Sequence, residues 1–250
     1  MKRWVAMLVA GLCLTGAARA EETSRAATNC AVPPELVSSD NSLKKVAEVV
    51  AKERKLDIVV VGTGSSTLSG PGGGGAAYPA RLEVALRQKL GNVDVNVFSE
   101  AQTKRTAEEM VENLARLATE RRPTLVIWQT GTVDAMRGIN PDDFTTALDE
   151  GISAAQKAGA DIVLLNPQYS PRMETMISVT PYMDNMRMVS QQRDVVLFDR
   201  FAIMRHWSEA GDFDLFGASH GLGLAKQVHD CIGRALADMV LNAAHLKTQN

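Results

Sequence analysis

A serine on a glycine turn is the residue whose type and setting best suit covalent chemistry in this chain. The segment Gly62-Thr63-Gly64-Ser65-Ser66-Thr67 follows the apolar run Ile58-Val59-Val60-Val61. On a tight turn between strand and helix, a hydroxyl projects outward and nearby backbone N–H groups can hold an oxyanion. Ser65 is thus a candidate nucleophile, and a plain turn or a phosphate-cradling loop remain competing readings of the same residues. A P-loop would need Gly-Lys-Ser/Thr at its end, and no such lysine follows. The dinucleotide fingerprint also fails, because its third glycine is absent.

A serine nucleophile needs a base, and the chain has four histidines. His220 ends the loop Asp214-Leu215-Phe216-Gly217-Ala218-Ser219-His220, where Asp214 or Asp212 would orient the imidazole. His229 is the rival, followed directly by Asp230 and Cys231. Each also has a bland reading. His229 shares helical spacing with Ala225, Ile232 and Leu236, which suits a hydrogen-bonded structural histidine. His220 sits beside glycines, which suits a surface loop. His206 and His245 look less suitable, and no His/Cys/Asp cluster has metal-ligand spacing, so no metal is expected.

These groups must be positioned by an alternating framework. Short apolar runs at Asp57–Val61, Val93–Phe98, Thr124–Gln129, Asp161–Leu165 and Val195–Phe198 read as strands. Ile58 to Val61 lack polar alternation, as parallel strands covered on both faces do. Helical spacing is expected at Ser42–Lys55, Tyr78–Leu90, Thr106–Glu120, Pro141–Ala158, Pro181–Gln192 and Leu222–Leu246. The pattern predicts an α/β domain with a parallel five-stranded sheet between helices. Ligands in such folds bind outside the carboxyl ends of the strands. There the sequence supplies Gln129-Thr130-Gly131-Thr132-Val133-Asp134, Asn166-Pro167-Gln168-Tyr169-Ser170-Pro171 and Asp199-Arg200. The last pair also reads as an ion pair capping the next helix. Gly70-Pro71-Gly72-Gly73-Gly74-Gly75, beside the serine turn, reads as a lid or as an ordinary flexible loop.

The first residues set an expected compartment. Lys2 and Arg3, the apolar stretch Val5 to Leu14 and Ala18-Arg19-Ala20 have the order of a cleavable secretory signal over residues 1–20. The apolar stretch is too short to span a bilayer stably. The mature chain would be periplasmic or secreted, with no stable membrane insertion after cleavage. Residues 21–56 form a lead-in and helix, and residues 57–250 the main domain. The 27 basic and 29 acidic residues give a net charge of −2, and losing Lys2, Arg3 and Arg19 takes it to −5. That balance argues against nucleic acid as a partner. With Cys13 removed, Cys30 and Cys231 remain, and in an oxidising compartment they are expected to pair.

From Asp57 onward the chain resembles the SGNH/GDSL hydrolase superfamily. Gly64-Ser65-Ser66-Thr67, Tyr78-Pro79-Ala80-Arg81-Leu82, Pro123 through Thr132, Gln168-Tyr169-Ser170-Pro171 and Phe198-Asp199-Arg200-Phe201 carry the resemblance. It implies a flavodoxin-like three-layer α/β/α fold and serine-esterase chemistry without a cofactor. The nucleophile position falls on Ser65, with Gly64 where the family's aspartate stands. Two departures touch the oxyanion donors. The loop after the second strand, Ser99-Glu100-Ala101-Gln102-Thr103-Lys104, lacks the family's glycine. The Gly-x-Asn block reads Gly131-Thr132-Val133, and losing one oxyanion donor costs about 10²–10³ in turnover. Lys104, Gln129 and Thr132 are candidates to compensate. The family's Asp-x-x-His is not matched at His220, since Gly217 stands three residues before it.

The resemblance implies an esterase acting on a small-molecule or glycan ester, and together with the expected leader an exported one, acting for example on an acetyl ester of envelope or extracellular polysaccharide. Ser65 would be the nucleophile, His220 or His229 the base and Asp214 the orienting acid; Gly64, Lys104, Gly131, Thr132 and Gln168 would line the oxyanion and substrate site. A weakly catalytic or non-catalytic ligand-binding relative and an acyltransferase are the alternatives.

Overall fold

The computed structural model describes residues 30–70, 72–216 and 221–248. The leader assigned to residues 1–20 and the candidate base His220 lie outside the described residues. Five strands form one sheet: β1 (Lys55–Gly62), β2 (Asp94–Ala101), β3 (Leu125–Gln129), β4 (Asp161–Leu165) and β5 (Val196–Phe198). Their order is β2-β1-β3-β4-β5 and every pairing is parallel. The chain steps from β1 outward to β2 and then back past β1 to β3. The crevice at the carboxyl ends of β1 and β3 is therefore the switch point where flavodoxin-like sheets bind ligands.

The helices are α1 (Lys44–Glu53), α2 (Gly73–Ala76), α3 (Tyr78–Leu90), α4 (Ala107–Arg121), α5 (Thr132–Arg137), α6 (Pro141–Lys157), α7 (Pro171–Met176), α8 (Thr180–Gln192), α9 (Arg200–Glu209) and α10 (Gly221–Ala243). Successive strand residues feed opposite cores, as a period of two requires. Ile58 and Val60 pack with α1, α3, α9 and α10, whereas Val59 and Val61 pack with α4, α6 and α8. No described helix is long and apolar enough to cross a membrane.

Helix α3 and strand β4 have the expected bounds, and other differences have local causes. β1 begins at Lys55, pairing with Asp94, two residues before the strand start expected at Asp57. The last helix stops at Ala243, because His245 turns left-handed (φ 52°) and Leu246 N–H bonds the Leu241 carbonyl at 2.9 Å. This is a Schellman-type ending. The glycine-rich segment contains the short helix α2. The three short helices α5, α7 and α9 were not expected. α7 and α9 each start from a side-chain cap: Ser170 accepts Met173 N–H, and Asp199 accepts Ala202 N–H.

The segment before α1 is pinned to the far end of the chain. Cys30 and Cys231 form a disulfide with their Cα atoms 5.1 Å apart. Trp207 donates to the Ala31 carbonyl at 2.9 Å, and Leu43 N–H to that of Ala243 at 2.9 Å. Arg81 and Asp230 then join α3 to α10 by an ion pair. These ties fix the start of α3 and the middle of α10, both of which reach the switch point.

Candidate active site

The two adjacent serines after β1 do different jobs. Gly64–Ser66 form a single 3-10 turn, closed by Ser66 N–H on the Thr63 carbonyl at 3.0 Å. The Ser66 hydroxyl is buried and donates to the same carbonyl at 2.6 Å. A Cβ at Gly62 would overlap the Ser66 side chain, so glycine there lets the turn fold back on the strand. Ser66 is thereby consumed as an anchor, and half-buried Ser65 is the serine presented at the crevice.

Beneath Ser65 lies an amide whose valences are all used. Gln129, the last residue of β3, is fully buried. Its Nε2 donates to Ser65 Oγ and to Thr63 Oγ1, both at 2.7 Å. Its Oε1 accepts from the Tyr78 hydroxyl at 3.2 Å and from Arg200 Nη1 at 3.4 Å. Two donors and two acceptors satisfied in this way fix the amide's orientation. Ser65 Oγ also accepts from Arg200 Nη2 at 3.4 Å.

Arg200 corrects the expectation of a capping ion pair. Asp199 does cap α9, but Arg200 turns inward and is 2% exposed. Asp199 instead meets Asn166 Nδ2 at 2.7 Å and Arg187 at 3.4 Å. Arg200 Nε has no hydrogen-bond partner among the described residues. Burial lowers the guanidinium's pKa to about 10, which leaves it charged at neutral pH. Arg200 and Tyr78 are thus site residues whose roles the sequence did not disclose. The signal available was an arginine between Phe198-Asp199 and Phe201, a charge in an apolar stretch at the end of a strand.

His229 sits on α10 and its Nδ1 accepts the backbone N–H of Tyr78 at 3.0 Å. The ring proton therefore resides on Nε2. Burial first, and then the charge of Arg200, lower its pKa to about 4. His229 is a neutral donor in this arrangement, and no hydrogen bond joins it to Ser65 among the described residues. Together with Gln168, Tyr169, Met204, Asp214 and Leu224 it lines a cavity of about 370 Å³. Asp214 is exposed and accepts Phe216 N–H at 3.0 Å.

The remaining candidates are scattered in role. Gly64 is exposed on the serine turn. Lys104 is exposed and left-handed (φ 62°), and its carbonyl accepts Arg137 Nη2 at 2.7 Å. Gly131 N–H is engaged by Asp134 Oδ2 at 3.2 Å, while Asp134 Oδ1 accepts Ala107 N–H at 2.8 Å. Burial raises the pKa of that carboxyl. Thr132 Oγ1 and Gln102 Oε1 are buried without a partner among the described residues. No group of three or more His, Cys, Asp or Glu side chains that could hold a metal ion occurs among the described residues.

The model of the non-GDSL lipase-like family matches residues 29–246. The fold is shared with an acetylxylan esterase, Axe2 of Geobacillus stearothermophilus (a catalytic mutant), at 14% identity and a TM-score of 0.61, covering 77% of this chain and 95% of that one. A lipase/acylhydrolase from Enterococcus faecalis matches at 14% identity and TM-score 0.59, covering 78% and 100%. TesA matches at 21% identity and TM-score 0.58, covering 75% and 98%. No curated protein matches in sequence.

Proposed function

Since the chain belongs to the non-GDSL lipase-like family, a divergent part of the SGNH superfamily, we propose that it is a serine hydrolase that cleaves carboxylic esters through an acyl-enzyme on Ser65. The observation that carries this reading is Ser65 Oγ, presented at the switch point and held by Gln129 Nε2 at 2.7 Å. Gln129 Nε2 and Arg200 Nη2 both donate to Ser65 Oγ, and among the described residues the only group left to take its O–H is Thr63 Oγ1 at 3.5 Å, a long contact that a base can replace.

The steps follow from that arrangement. Ser65 Oγ attacks the ester carbonyl while its proton passes to the base, and the carbonyl electrons move onto oxygen. Collapse expels the alcohol, which takes the proton from the base, and water then releases the acid by the same sequence. His220 is the base in this reading and Asp214 its orienting acid. His229 supplies a neutral N–H donor to the cavity beside the site, where Gln168 and Asp214 add polar contacts to Tyr169, Met204 and Leu224. That lining suits a small acyl or sugar group, and one structural neighbour is an acetylxylan esterase. The natural substrate is taken to be an acetyl ester on envelope or extracellular polysaccharide, met by a chain exported through the leader at residues 1–20. The Cys30–Cys231 disulfide agrees with an oxidising compartment.

A second reading, a ligand-binding relative without turnover, is favoured by the engagement of Gly131 N–H by Asp134 and by Val133 in the place of the asparagine donor. Hydrolysis of p-nitrophenyl acetate and butyrate separates the two. Turnover that disappears in Ser65→Ala supports the esterase; native protein that gives no hydrolysis above the uncatalysed rate supports the binding reading.

A further inference from the structure

Arg200 poses a problem of electrostatics that the fold does not resolve. A buried charge is costly unless a counter-charge sits beside it. Arg200 is 2% exposed, yet no carboxylate among the described residues forms an ion pair with it. The groups facing it are neutral: Gln129 from β3, Ser65 from the serine turn, Tyr78 from α3 and His229 from α10. Burial raises the Tyr78 phenol's pKa, and His229 is held neutral, so neither supplies a negative charge near neutral pH. Its Nε has no partner among the described residues, and its two Nη contacts are both at 3.4 Å, longer than a good N–H···O bond. The cation is thus buried against the candidate nucleophile among neutral groups, with no ion-pair partner among the described residues.

We propose that Arg200 is a catalytic residue, whose guanidinium stabilises the negative charge that develops on Ser65 Oγ and then on the attacked carbonyl oxygen. The inference rests on the esterase reading above. As the base removes the Ser65 proton, charge grows on the atom that Arg200 Nη2 already contacts. When the Oγ–C bond forms, the carbonyl electron pair moves to the substrate oxygen, two bonds from Oγ and still close to the same cation. On collapse the oxyanion's electron pair re-forms the carbonyl, the C–O bond pair leaves with the alcohol oxygen, and the proton from the base neutralises it. A preformed charge in a water-excluded site gives such stabilisation without reorganisation. It fills the role left by Val133, where the asparagine donor is absent. Gln129 is the positioning residue, because it grips Ser65 and Arg200 at once.

The test is the pH dependence of the rate at which a fluorophosphonate labels Ser65, followed by mass spectrometry in the full mature protein. Arg200→Gln removes the charge, and Arg200→Lys keeps it; melting temperatures report the fold of each. Arg200→Gln is expected to label about 10²–10³-fold more slowly and to reach half-maximal rate at higher pH. Arg200→Lys keeps a cation but loses the two-armed contact with Gln129 and Ser65, and is expected to label faster than Arg200→Gln, within about hundredfold of native, with a smaller rise in its pH midpoint. Should Arg200→Gln not fold, Arg200→Lys decides alone: a folded Lys variant with more than about hundredfold loss overturns the proposal. A folded Arg200→Gln that labels like native protein also overturns it and leaves the esterase reading standing. Native protein that is not labelled at Ser65 overturns both.

Discussion

Tyr78 N–H donates to His229 Nδ1 at 3.0 Å, which ties the first turn of α3 to the middle of α10 and spends the one basic nitrogen of that ring. The imidazole is therefore a neutral donor toward the cavity, and its folded pKa of about 4 lies below the ordinary histidine value of 6.5.

The sign of the pH effect follows. The unfolded chain binds a proton near pH 6.5, whereas the folded one does so only near 4. Stability from this group is complete above about pH 6.5 and is lost as pH falls toward 4, by about 1–3 kcal/mol. His229→Gln, which can still accept Tyr78 N–H, is expected to flatten that stretch of a melting-temperature profile. An identical acid slope in the variant would remove His229 from the account.

Ser66 tests the division of labour on the turn. Ser66→Ala should retain fluorophosphonate labelling and lose about 1 kcal/mol in a denaturant titration, since the Thr63 carbonyl keeps its bond from Ser66 N–H. Lost labelling at full stability would mean that Ser66 is the reacting residue.

Asp134 holds two buried N–H groups, those of Ala107 and Gly131. Asp134→Ala leaves both unsatisfied and is expected to cost about 2–4 kcal/mol in urea unfolding. A loss below about 0.5 kcal/mol would show that water replaces the carboxylate without penalty.

The Cys30–Cys231 bond closes a separation of 201 residues and anchors the segment packed on Trp207. Reduction is expected to destabilise the protein by about 2–5 kcal/mol, read as a lower melting temperature with reductant present. Full reduction with an unchanged melting temperature would mean that packing alone secures the segment.

Much of this arrangement was legible in the sequence, and the reasons are local. Asp161–Leu165 and Tyr78–Leu90 declare themselves by an apolar run and by helical spacing. Ser65 is marked by the glycine turn that follows β1. What the sequence hides is the underside of the site. Gln129 reads along the chain only as a compensating donor, and nothing in its neighbourhood reveals a fully satisfied amide beneath the serine. Asp199-Arg200 looked like a helix cap because an acid before a helix usually is one, and Asp199 does cap α9. Arg200 turns the other way through a tertiary choice, set by the sheet order that brings the ends of β1, β3 and β5 to one rim. The short helices α5 and α7 also escape periodicity, since six residues give too few turns to show it.

The most direct test of the central claim is the intact mass of the mature protein after exposure to a fluorophosphonate, with the adduct mapped to a peptide. The account predicts one stoichiometric adduct on Ser65 that is absent from Ser65→Ala. No adduct on native protein, or one that persists in the variant, would contradict it.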